Sequence, residues 1–409
     1  MFQGYKFRIY PTLEQQIALA KSFGCARWYW NYALNLCQGT YKTTGKGLSR
    51  KAIQGLLPQL KKEYPWLKEA YSQCLQVVAL NLSVAYKNFF EKRARLPQFK
   101  SKHGRQSISY PQNVKFEGDY LKLPGKIGLI YCRRHREIEA TIKTVTISKN
   151  RDGKYYASIL VDDGKETPNL STNGKAIGID LGLTHFAITS DGDKYSNPKH
   201  FVKHQQNLKR KQQKLSRKQK ASNSRQKARL KVAKVHAKIA RCREDFLHKL
   251  SRKIVNENVE TCHGTSVLAV EDLGVKNMVK NHKLAKVISD CGWGMFGTML
   301  KYKAEKEGKT YIEIDRFFPS SKTCSVCLNQ VGSLPLDIRS WTCEHCQTTH
   351  DRDINAAINI KTEAKRILSL GTSDTASLRG CQPSEKTSVS SDAIPVDARS
   401  PHLLVEKFG

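Results

Sequence analysis

Three acidic residues stand where short apolar segments end or begin in the second half of the chain. Asp180 and Glu271 each follow a three-residue apolar run, and Asp353 begins the amphipathic segment 354–367. A carboxylate at the end of a strand has a fixed backbone, so its oxygens can point into a cleft. Three such groups from distant positions can hold two Mg²⁺ ions and hydrolyse a phosphodiester. The pattern therefore predicts a two-metal catalytic site.

Each acid also has a simpler interpretation, because an isolated acid after a strand is usually a turn or cap residue. Asp272 follows Glu271 directly, so either carboxylate could face the metals. Asp351 stands two residues before Asp353 and could instead cap the last helix. The combination of two acid-ended strands, basic helices between them and a final helix that begins with Asp353 favours the catalytic interpretation.

Four cysteines form one cluster. Cys324 and Cys327 are a Cys-x-x-Cys pair, as are Cys343 and Cys346, and 15 residues separate the two pairs. This spacing is typical of a two-knuckle zinc ribbon, in which four thiolates surround one tetrahedral ion. Since four thiolates leave no open coordination position, we expect a structural zinc. The other eight cysteines are scattered singly, as free thiols in a reducing compartment usually are.

The chain is strongly basic, with 70 Lys+Arg against 36 Asp+Glu among 409 residues. Residues 199–253 contain 20 Lys+Arg and only two acids. Such an excess favours a polyanionic partner, and nucleic acid rather than a membrane, because no basic helix has a strongly apolar opposite face. The most apolar stretch, residues 75–86, is too short to span a bilayer, and the first residues contain no secretory apolar region. We therefore expect a cytoplasmic protein.

The elements that must position these residues follow from the periodicity. Residues 1–10 alternate as a strand, and Thr12 with Gln15 forms a capping box for helices that continue to about residue 90. Alternation then returns over residues 107–163, which predicts a β-barrel with a helical insertion. A third block contains the two acid-ended strands, two basic helices and a last helix. Beyond Leu368 the chain has no periodicity, and we expect disorder.

Longer segments surround the three acids: Gly178-Ile179-Asp180-Leu181-Gly182, Val270-Glu271-Asp272-Leu273 and the ten residues His350–Asn359. They resemble the three RuvC motifs of the TnpB family, which are transposon-encoded, RNA-guided nucleases related to type V CRISPR effectors. Further similar segments lie at residues 85–90, 245–250, 289–294 and 318–321. The resemblance extends over most of residues 5–367 in the family's order.

The resemblance implies a multidomain α+β fold with five parts. These are a wedge β-barrel (1–10 and 96–165), an inserted helical recognition domain (11–95), a RuvC (RNase H-like) α/β nuclease domain (174–319 and 351–368), an inserted zinc ribbon (320–350) and a tail (369–409). It also implies an RNA-guided DNA endonuclease of an insertion-sequence element, which cuts double-stranded DNA next to a short target-adjacent motif. The guide RNA would derive from the transposon end. The protein would work in a prokaryotic cytoplasm, at the nucleoid when bound to DNA.

By motif position, the resemblance makes Asp180, Glu271 and Asp353 the catalytic ligands of two Mg²⁺ ions. It also implies that Gln76 lies on the helix that reads the target-adjacent motif. We expect phosphate contacts from nine basic residues: Lys87, Arg93, Arg95, Lys100, Lys209, Arg210, Lys211, Arg217 and Lys218. Aromatic residues at positions 28–30 could stack on bases or could belong to the core.

Other functions remain open at this point. A nucleic-acid-binding regulator or transposition accessory protein would share the basic charge but would not need all three acids. A transposase is not favoured, because the chain contains no arrangement of Tyr or HUH nucleophiles. A resolvase of branched DNA would use the acids but would not need so large an RNA-binding surface.

Overall fold

The computed structural model of the chain describes residues 1–171, 175–256, 265–335 and 337–371. The chain divides into two compact units after Lys165. The predicted disordered tail lies outside the described residues from residue 372 onward, and its first three residues belong to the last helix. None of the described helices combines the length and the apolar character needed to cross a membrane.

Seven antiparallel strands form the sheet of the first unit. They are β1 (Phe2–Tyr10), β2 (Gln106–Tyr110), β3 (Lys115–Glu117), β4 (Tyr120–Leu123), β5 (Gly128–Arg133), β6 (Thr141–Lys149) and β7 (Tyr155–Asp162). Their order is β2-β6-β7-β1-β5-β4-β3, so the first strand of the chain lies in the middle of the sheet. Between the described strands, no ladder joins the edge strands β2 and β3. The part of the predicted barrel that the structure contains is therefore this antiparallel sheet.

Helices fill the sequence between β1 and β2, as the periodicity predicts. They are α1 (Leu13–Thr44), α2 (Arg50–Gly55), α3 (Leu57–Glu63), a 3₁₀ turn (Pro65–Glu69) and α4 (Ser72–Phe90). The predicted capping box at Thr12 and Gln15 is present, with each backbone N–H donating to the other side chain at 3.0–3.3 Å. One side of the sheet packs on these helices, because Phe7 and Ile9 share a core with Leu19 and Leu75. The opposite side of β1 is exposed.

The second unit contains a five-stranded mixed sheet of order β10-β9-β8-β11-β12. Its strands are β8 (Lys175–Asp180), β9 (His185–Thr189), β10 (Lys194–Ser196), β11 (Thr265–Glu271) and β12 (Thr310–Ile314). Strands β8, β11 and β12 are parallel, whereas β9 and β10 are antiparallel to their neighbours. Since neighbouring parallel strands end at the same edge of a sheet, the carboxyl ends of β8 and β11 are adjacent.

The remaining elements of this unit are helical, apart from one small hairpin. They are α5 (His200–Ser216), α6 (Asn223–Asn256), α7 (Val275–Met278), α8 (Ala285–Cys291), α9 (Trp293–Lys306), the strands β13 (Ser340–Thr342) and β14 (Thr349–Asp351), and α10 (Arg352–Gly371). The break predicted at residues 222–224 lies earlier in the structure: α5 ends at Ser216 and α6 begins at Asn223, so residues 217–222 separate the two helices. Leu208, Val235 and Ile239 join these two basic helices through a small apolar cluster.

Helix α10 lies directly on strand β8, and one glycine makes this possible. A Cβ atom added to Gly178 would lie 2.0 Å from the carbonyl oxygen of Ala357 and 2.6 Å from the backbone nitrogen of Lys361. No side chain fits in that space. Gly178 stands two residues before Asp180, and Ala357 one helical turn after Asp353. The close approach therefore brings the helix that carries one acid onto the strand that carries another.

Replacing Gly178 with alanine is expected to destabilise the second unit strongly. The added methyl group clashes with backbone atoms, which cannot rotate away as a side chain can, so we expect a loss of about 3 kcal/mol in the free energy of unfolding. Urea denaturation measures this loss. Gly294→Ala on α9 is the control, because a Cβ there meets no atom within 4 Å. Equal stability of the two variants would contradict the described packing of α10 on β8.

Candidate active site

Asp180, Glu271 and Asp353 converge at the carboxyl edge of the second sheet. Ile179 pairs with Val270 across the parallel ladder, so Asp180 and Glu271 extend from adjacent strand ends. Asp353 lies in the first turn of α10. Burial, followed by the charges of Asp353 and Glu271, raises the pKa of Asp180 to about 7, whereas an unperturbed aspartate has a pKa of about 4. The three acids predicted from distant sequence positions are thus close enough to interact electrostatically.

Glu271 has a similarly perturbed carboxyl group. Burial raises its pKa to about 7, a hydrogen bond from the Ser320 hydroxyl opposes this shift, and the charge of Asp272 adds to it. Asp272 itself forms an ion pair with Arg316. The two neighbouring acids thus differ in their surroundings, and it is Glu271 whose charge acts on Asp180.

Asp351 and Asp353, the second ambiguous pair, also differ in their surroundings at the start of α10. The Asp351 carboxylate accepts hydrogen bonds from the N–H groups of Asp353 and Ile354, both at 3.1 Å, and pairs with Lys194 at 2.6 Å. Asp351 is therefore the helix cap, and Asp353 is the residue that acts on Asp180. The Asp353 carboxylate lies 3.3 Å from the guanidinium group of Arg339.

The chemistry of these acids suits a divalent metal, although among the described residues only the four cysteines have ligand atoms that all lie within 4.8 Å of one another. Two carboxyl groups with pKa values near 7 are poorly compensated by the protein alone, and a cation between them would favour their ionised forms. Carboxylate oxygens on rigid strand ends are the ligands that Mg²⁺ prefers. Perturbed carboxyl groups at a shared edge are also characteristic of catalytic sites.

The four predicted zinc ligands also come together. Their Sγ atoms all lie within 4.8 Å of one another, and the pairs Cys324–Cys346 and Cys327–Cys343 are separated by 3.6 Å. In a tetrahedral site with Zn–S bonds of about 2.3 Å, the sulfur atoms are about 3.8 Å apart. The cluster therefore has the dimensions of a four-thiolate zinc site with no open position.

Both cysteine pairs are built on the same turn. Leu328 and Gln347, which each follow the second cysteine of a pair, have positive φ angles of 63° and 60°. Their N–H groups donate to the carbonyl oxygens of Cys324 and Cys343 at 3.0 and 2.9 Å. The two segments are thus matching knuckles, although neither contains the glycine that usually adopts this conformation.

Sequence reasoning did not assign a role to His350, which contacts the cluster. Its Nε2 atom lies 3.1 Å from Cys324 Sγ, and its buried ring packs on Trp341 with 4.9 Å between ring centroids. A ring N–H at this distance can donate to a thiolate and hold it in place. Hydrogen bonds from Thr348 act similarly on Cys346 and lower its pKa to about 6.

The proposed nucleic-acid contacts of the first unit are mostly exposed. Gln76 and Lys87 lie on the exposed side of α4, and Arg93 and Arg95 are exposed just after it. Lys100 is also exposed, and its ammonium group lies 3.6 Å above the ring of Trp30, where desolvation lowers its pKa to about 8.

The remaining basic candidates lie on α5 or directly after its last residue. Lys209 and Arg210 are exposed on α5, Arg217 and Lys218 are exposed after its end, and Lys211 is half-buried. They lie on one continuous stretch of 10 residues beside the apolar cluster that joins the two helices. This pair presents a large basic surface that fits a phosphate backbone.

Two of the three aromatic candidates belong to the core. Tyr29 is fully buried and donates its hydroxyl to the carbonyl of Ile53 at 2.7 Å, and the buried Trp30 donates to Gln98 at 3.0 Å. Of the two alternatives, core packing therefore holds for these two residues, because α1 turns them toward the apolar interior. Trp28 is half-buried and contacts exposed Trp66, with 5.1 Å between ring centroids.

A second group of aromatic side chains was not found from the sequence. Tyr10, Tyr120 and Tyr131 are exposed on neighbouring strands β1, β4 and β5, and both ring pairs that Tyr131 forms with the other two have centroids 5.8 Å apart. Arg8 lies 4.9 Å from the Tyr10 ring centroid on the same side of the sheet. The alternation of β1 predicts which residues are outward, but only the strand order brings these rings together.

Comparison with known proteins agrees with these features. Family models match three segments: residues 158–282 match one described as "Probable transposase", residues 293–360 a "Cas12f1-like, TNB domain" and residues 1–46 a "Helix-turn-helix domain". A "Putative RNA-guided DNA endonuclease" of Streptomyces pristinaespiralis is 38% identical over 364 residues, which cover 88% of each chain. The chain belongs to the TnpB family.

Further TnpB-like relatives include the "Putative RNA-guided DNA endonuclease InsQ" of Escherichia coli K12, which is 30% identical over 90% of this chain and 94% of its own. A solved structure of "the mini-RNA-guided endonuclease CRISPR-Cas_phi3" has a TM-score of 0.51 at 9% identity, and covers 89% of this chain and 92% of its own. This similarity shows a shared mixed α/β fold.

The helix-turn-helix description does not fit the structure of the TnpB segment it matches. Residues 2–10 form strand β1, and residues 13–44 form the single continuous helix α1. A helix-turn-helix needs two helices joined by a short turn. The N-terminal segment therefore combines a central sheet strand with one long helix.

Proposed function

We propose that this protein is an RNA-guided DNA endonuclease of an insertion-sequence element, which cuts target DNA beside a short target-adjacent motif. The observation that carries this proposal is the convergence of Asp180, Glu271 and Asp353, in a chain whose relatives are named RNA-guided DNA endonucleases. A regulator that only binds nucleic acid would not need three acids at one edge of a sheet, two of them with raised pKa values. Their arrangement supports catalysis.

The three acids would hold two Mg²⁺ ions. When bound, these ions supply an activated water and stabilise the leaving oxygen of the phosphodiester. The protein keeps Asp180 and Glu271 on rigid strand ends, and α10 carries Asp353 to the same edge. Rigid placement matters because a shift of about 1 Å in such a site is enough to lower the rate 10²-fold.

The domain assignment is part of this proposal. The mixed sheet and α10 support a RuvC nuclease domain over residues 174–319 and 351–368, and the hairpin β13–β14 with its four cysteines supports an inserted zinc ribbon over 320–350. The first unit would supply the wedge sheet and the helical recognition domain. Cys324, Cys327, Cys343 and Cys346 would bind the zinc.

The partners would be a guide RNA from the transposon end and double-stranded target DNA. Pairing between guide and target would choose the sequence, whereas the protein would hold the duplex by its backbone and shape. The exposed basic residues of α5 and α6 support phosphate contacts. The exposed face of Tyr10, Tyr120 and Tyr131 beside Arg8 supports stacking of unpaired bases.

Replacing Tyr131 with alanine is expected to weaken binding of the guide RNA. Tyr131 is the central ring of the three, and loss of one base-stacking ring typically costs about 1–3 kcal/mol. Filter binding with the co-purified RNA would measure the change. Tyr131→Phe keeps the ring and should bind like the wild type. If the alanine variant also bound like the wild type, this face would not contact the RNA.

Sequencing the RNA that co-purifies with the protein tests the proposed function. A discrete RNA whose scaffold matches the transposon end is the expected result. A random sample of cellular RNA would contradict an RNA-guided function and would favour a binding protein of broad specificity.

A further inference from the structure

The two basic helices leave the core of the second unit at one place. Helix α6 carries two sets of buried apolar residues: Val235 and Ile239 pack on α5, whereas Leu247 and Leu250 pack on the core of the sheet. The exit from the core therefore lies between Ile239 and Leu247. Helix α5 and the first part of α6 together form a segment that we call the basic arm (residues 200–241).

A buried carboxylate lies at this exit. Asp290, with 8% of its surface exposed, accepts a hydrogen bond from the N–H of Phe201 on Oδ2 at 2.7 Å and one from Nη2 of Arg243 on Oδ1 at 2.8 Å. Phe201 is the second residue of α5, and Arg243 lies between the two buried sets of α6. A carboxylate is also favoured at the start of a helix, where backbone N–H groups lack intrahelical partners. Each oxygen of Asp290 thus holds one of the two basic helices.

Asp290 itself has a rigid base. It lies near the end of α8, and Trp293, three residues later, is buried in the core of the sheet. Gly292 ends α8 with a φ angle of 70°, and a Cβ atom added there would lie 3.1 Å from Cδ of Arg243. Helix α6 therefore packs directly on the backbone beside Asp290. The segment 289–294 forms a fixed support where the arm begins.

The segment that enters α5 is also tied to the strand that carries a proposed catalytic acid. Asn197 donates from Nδ2 to the carbonyl oxygen of Leu183 at 2.9 Å, and its Oδ1 accepts the N–H of Lys199 at 3.1 Å. Leu183 stands three residues after Asp180, which ends β8. The start of the arm and the end of β8 therefore have a fixed relative position.

We propose that Asp290 is a positioning residue that fixes the basic arm relative to the acidic site, so that nucleic acid held by the arm reaches the acids in one fixed position. This inference rests on the proposed nuclease function. Helix α5 has 17 residues and is about 25 Å long at 1.5 Å per residue. A tilt of about 10° at its first turn would move its far end by about 4 Å, whereas a shift of about 1 Å at a reacting group is enough to slow catalysis 10²-fold.

A purely structural role makes a different prediction. If Asp290 only compensated Arg243 and the start of α5, its loss would lower the free energy of unfolding and the fraction of active complexes. The complexes that remained folded would cut with the wild-type rate constant and at the wild-type position. If Asp290 positions the arm, folded complexes cut slowly and at scattered positions, although the phosphate contacts of the arm are intact.

The test uses the full chain with its co-purified RNA and a matching DNA duplex. DNA binding is measured without Mg²⁺, single-turnover cleavage is measured with Mg²⁺ in excess, and the cut ends are mapped by sequencing. The rate constant reports the folded complexes, whereas the amplitude reports their fraction.

Asp290→Asn is the principal variant, because an amide has one acceptor oxygen and keeps at most one of the two hydrogen bonds. It should bind DNA within about threefold of the wild type, cleave with a rate constant lower by about 10-fold or more, and spread the cut over several neighbouring positions. Asp245→Asn is the matched control. Asp245 is exposed on α6 and pairs with Lys249 at 2.8 Å, and its replacement should leave all three measurements unchanged.

Arg243→Met provides a second variant, because it removes the guanidinium group and keeps the apolar stem that lies against Gly292. It should change the rate constant and the cut positions in the same direction, and it covers the case in which Asp290→Asn does not fold. The inference is overturned if the folded variant cuts with the wild-type rate constant at the wild-type position, so that only the amplitude falls. It is also overturned if DNA affinity falls by the same factor as the rate constant, which would place Asp290 in the binding surface. If the wild-type complex shows no guide-dependent cleavage, the proposed function fails, and this inference fails with it.

Discussion

Replacing Asp180 with asparagine is expected to abolish DNA cleavage and to leave RNA and DNA binding nearly intact. Asparagine has the same shape but lacks the negative charge, so the site would lose one of the three proposed metal ligands. Metal stabilisation of the transition state contributes several kcal/mol, and each 1.36 kcal/mol corresponds to a tenfold change in rate. We therefore expect the single-turnover cleavage rate to fall about 10³-fold or more.

Stability should not explain this loss. Burial and the charges of Asp353 and Glu271 raise the pKa of Asp180, so its ionised form is unfavourable in the metal-free protein. A neutral amide removes that repulsion, and the variant should be at least as stable as the wild type.

The matched control for this prediction is Asp191→Asn. Asp191 lies in the turn between β9 and β10 and forms a surface ion pair with Lys175 at 2.5 Å. This variant should cleave at close to the wild-type rate. If Asp180→Asn cleaved as fast as Asp191→Asn, the assignment of the catalytic acids would be wrong.

Replacing Cys343 with serine is expected to remove the zinc. Three remaining thiolates cannot complete the tetrahedral shell, and structural zinc contributes about 10–16 kcal/mol of apparent folding free energy in small zinc-finger domains. We expect zinc content to fall from one ion per chain to almost none. The turns that begin at Cys324 and Cys343 should then no longer be held together by a shared zinc ion.

Cleavage should fall together with the zinc. The segment that enters the first knuckle is hydrogen-bonded to Asn359 of α10, the helix that carries Asp353, so loss of the cluster should loosen this end of the helix. Plasma mass spectrometry and a cleavage assay measure the two effects. Cys242→Ser, a half-buried cysteine of α6 outside the cluster, is the control and should keep both. Unchanged zinc in the Cys343 variant would refute the four-cysteine assignment.

Local features were predictable from the sequence because they depend on neighbouring residues. The capping box of Thr12 and Gln15, the acid-ended strands and the spacing of the cysteine pairs each involve a few residues in succession. The parallel strands then place Asp180 beside Glu271 by geometry alone. These parts of the site follow from periodicity and spacing.

Other features depend on contacts between distant segments. Glu271 and Asp272 can be distinguished only by a distant contact. Asp272 forms an ion pair with Arg316, which lies 44 residues away in the sequence. The role of Gly178 depends on the close approach of α10 to its Cα atom, which the local sequence does not predict. Strand order, rather than alternation, brings Tyr10, Tyr120 and Tyr131 together on one face.

The same reason explains the residues whose roles were missed or left open. His350 and Asn359 lie in a motif segment, but no local pattern tells that one contacts Cys324 and the other holds Ser320. Tyr29 and Trp30 share a helix with polar neighbours, and their burial is decided by the sheet and by α4.

Guide-programmed cleavage tests the central claim most directly. The purified complex is supplied with Mg²⁺ and two DNA duplexes, only one of which matches the guide, and the guide segment is then exchanged so that the other duplex matches. We predict that cleavage follows the guide, requires Mg²⁺ and disappears in the Asp180→Asn complex. Cleavage that ignores the exchanged guide, or that persists without Asp180, would contradict an RNA-guided nuclease with this acidic site.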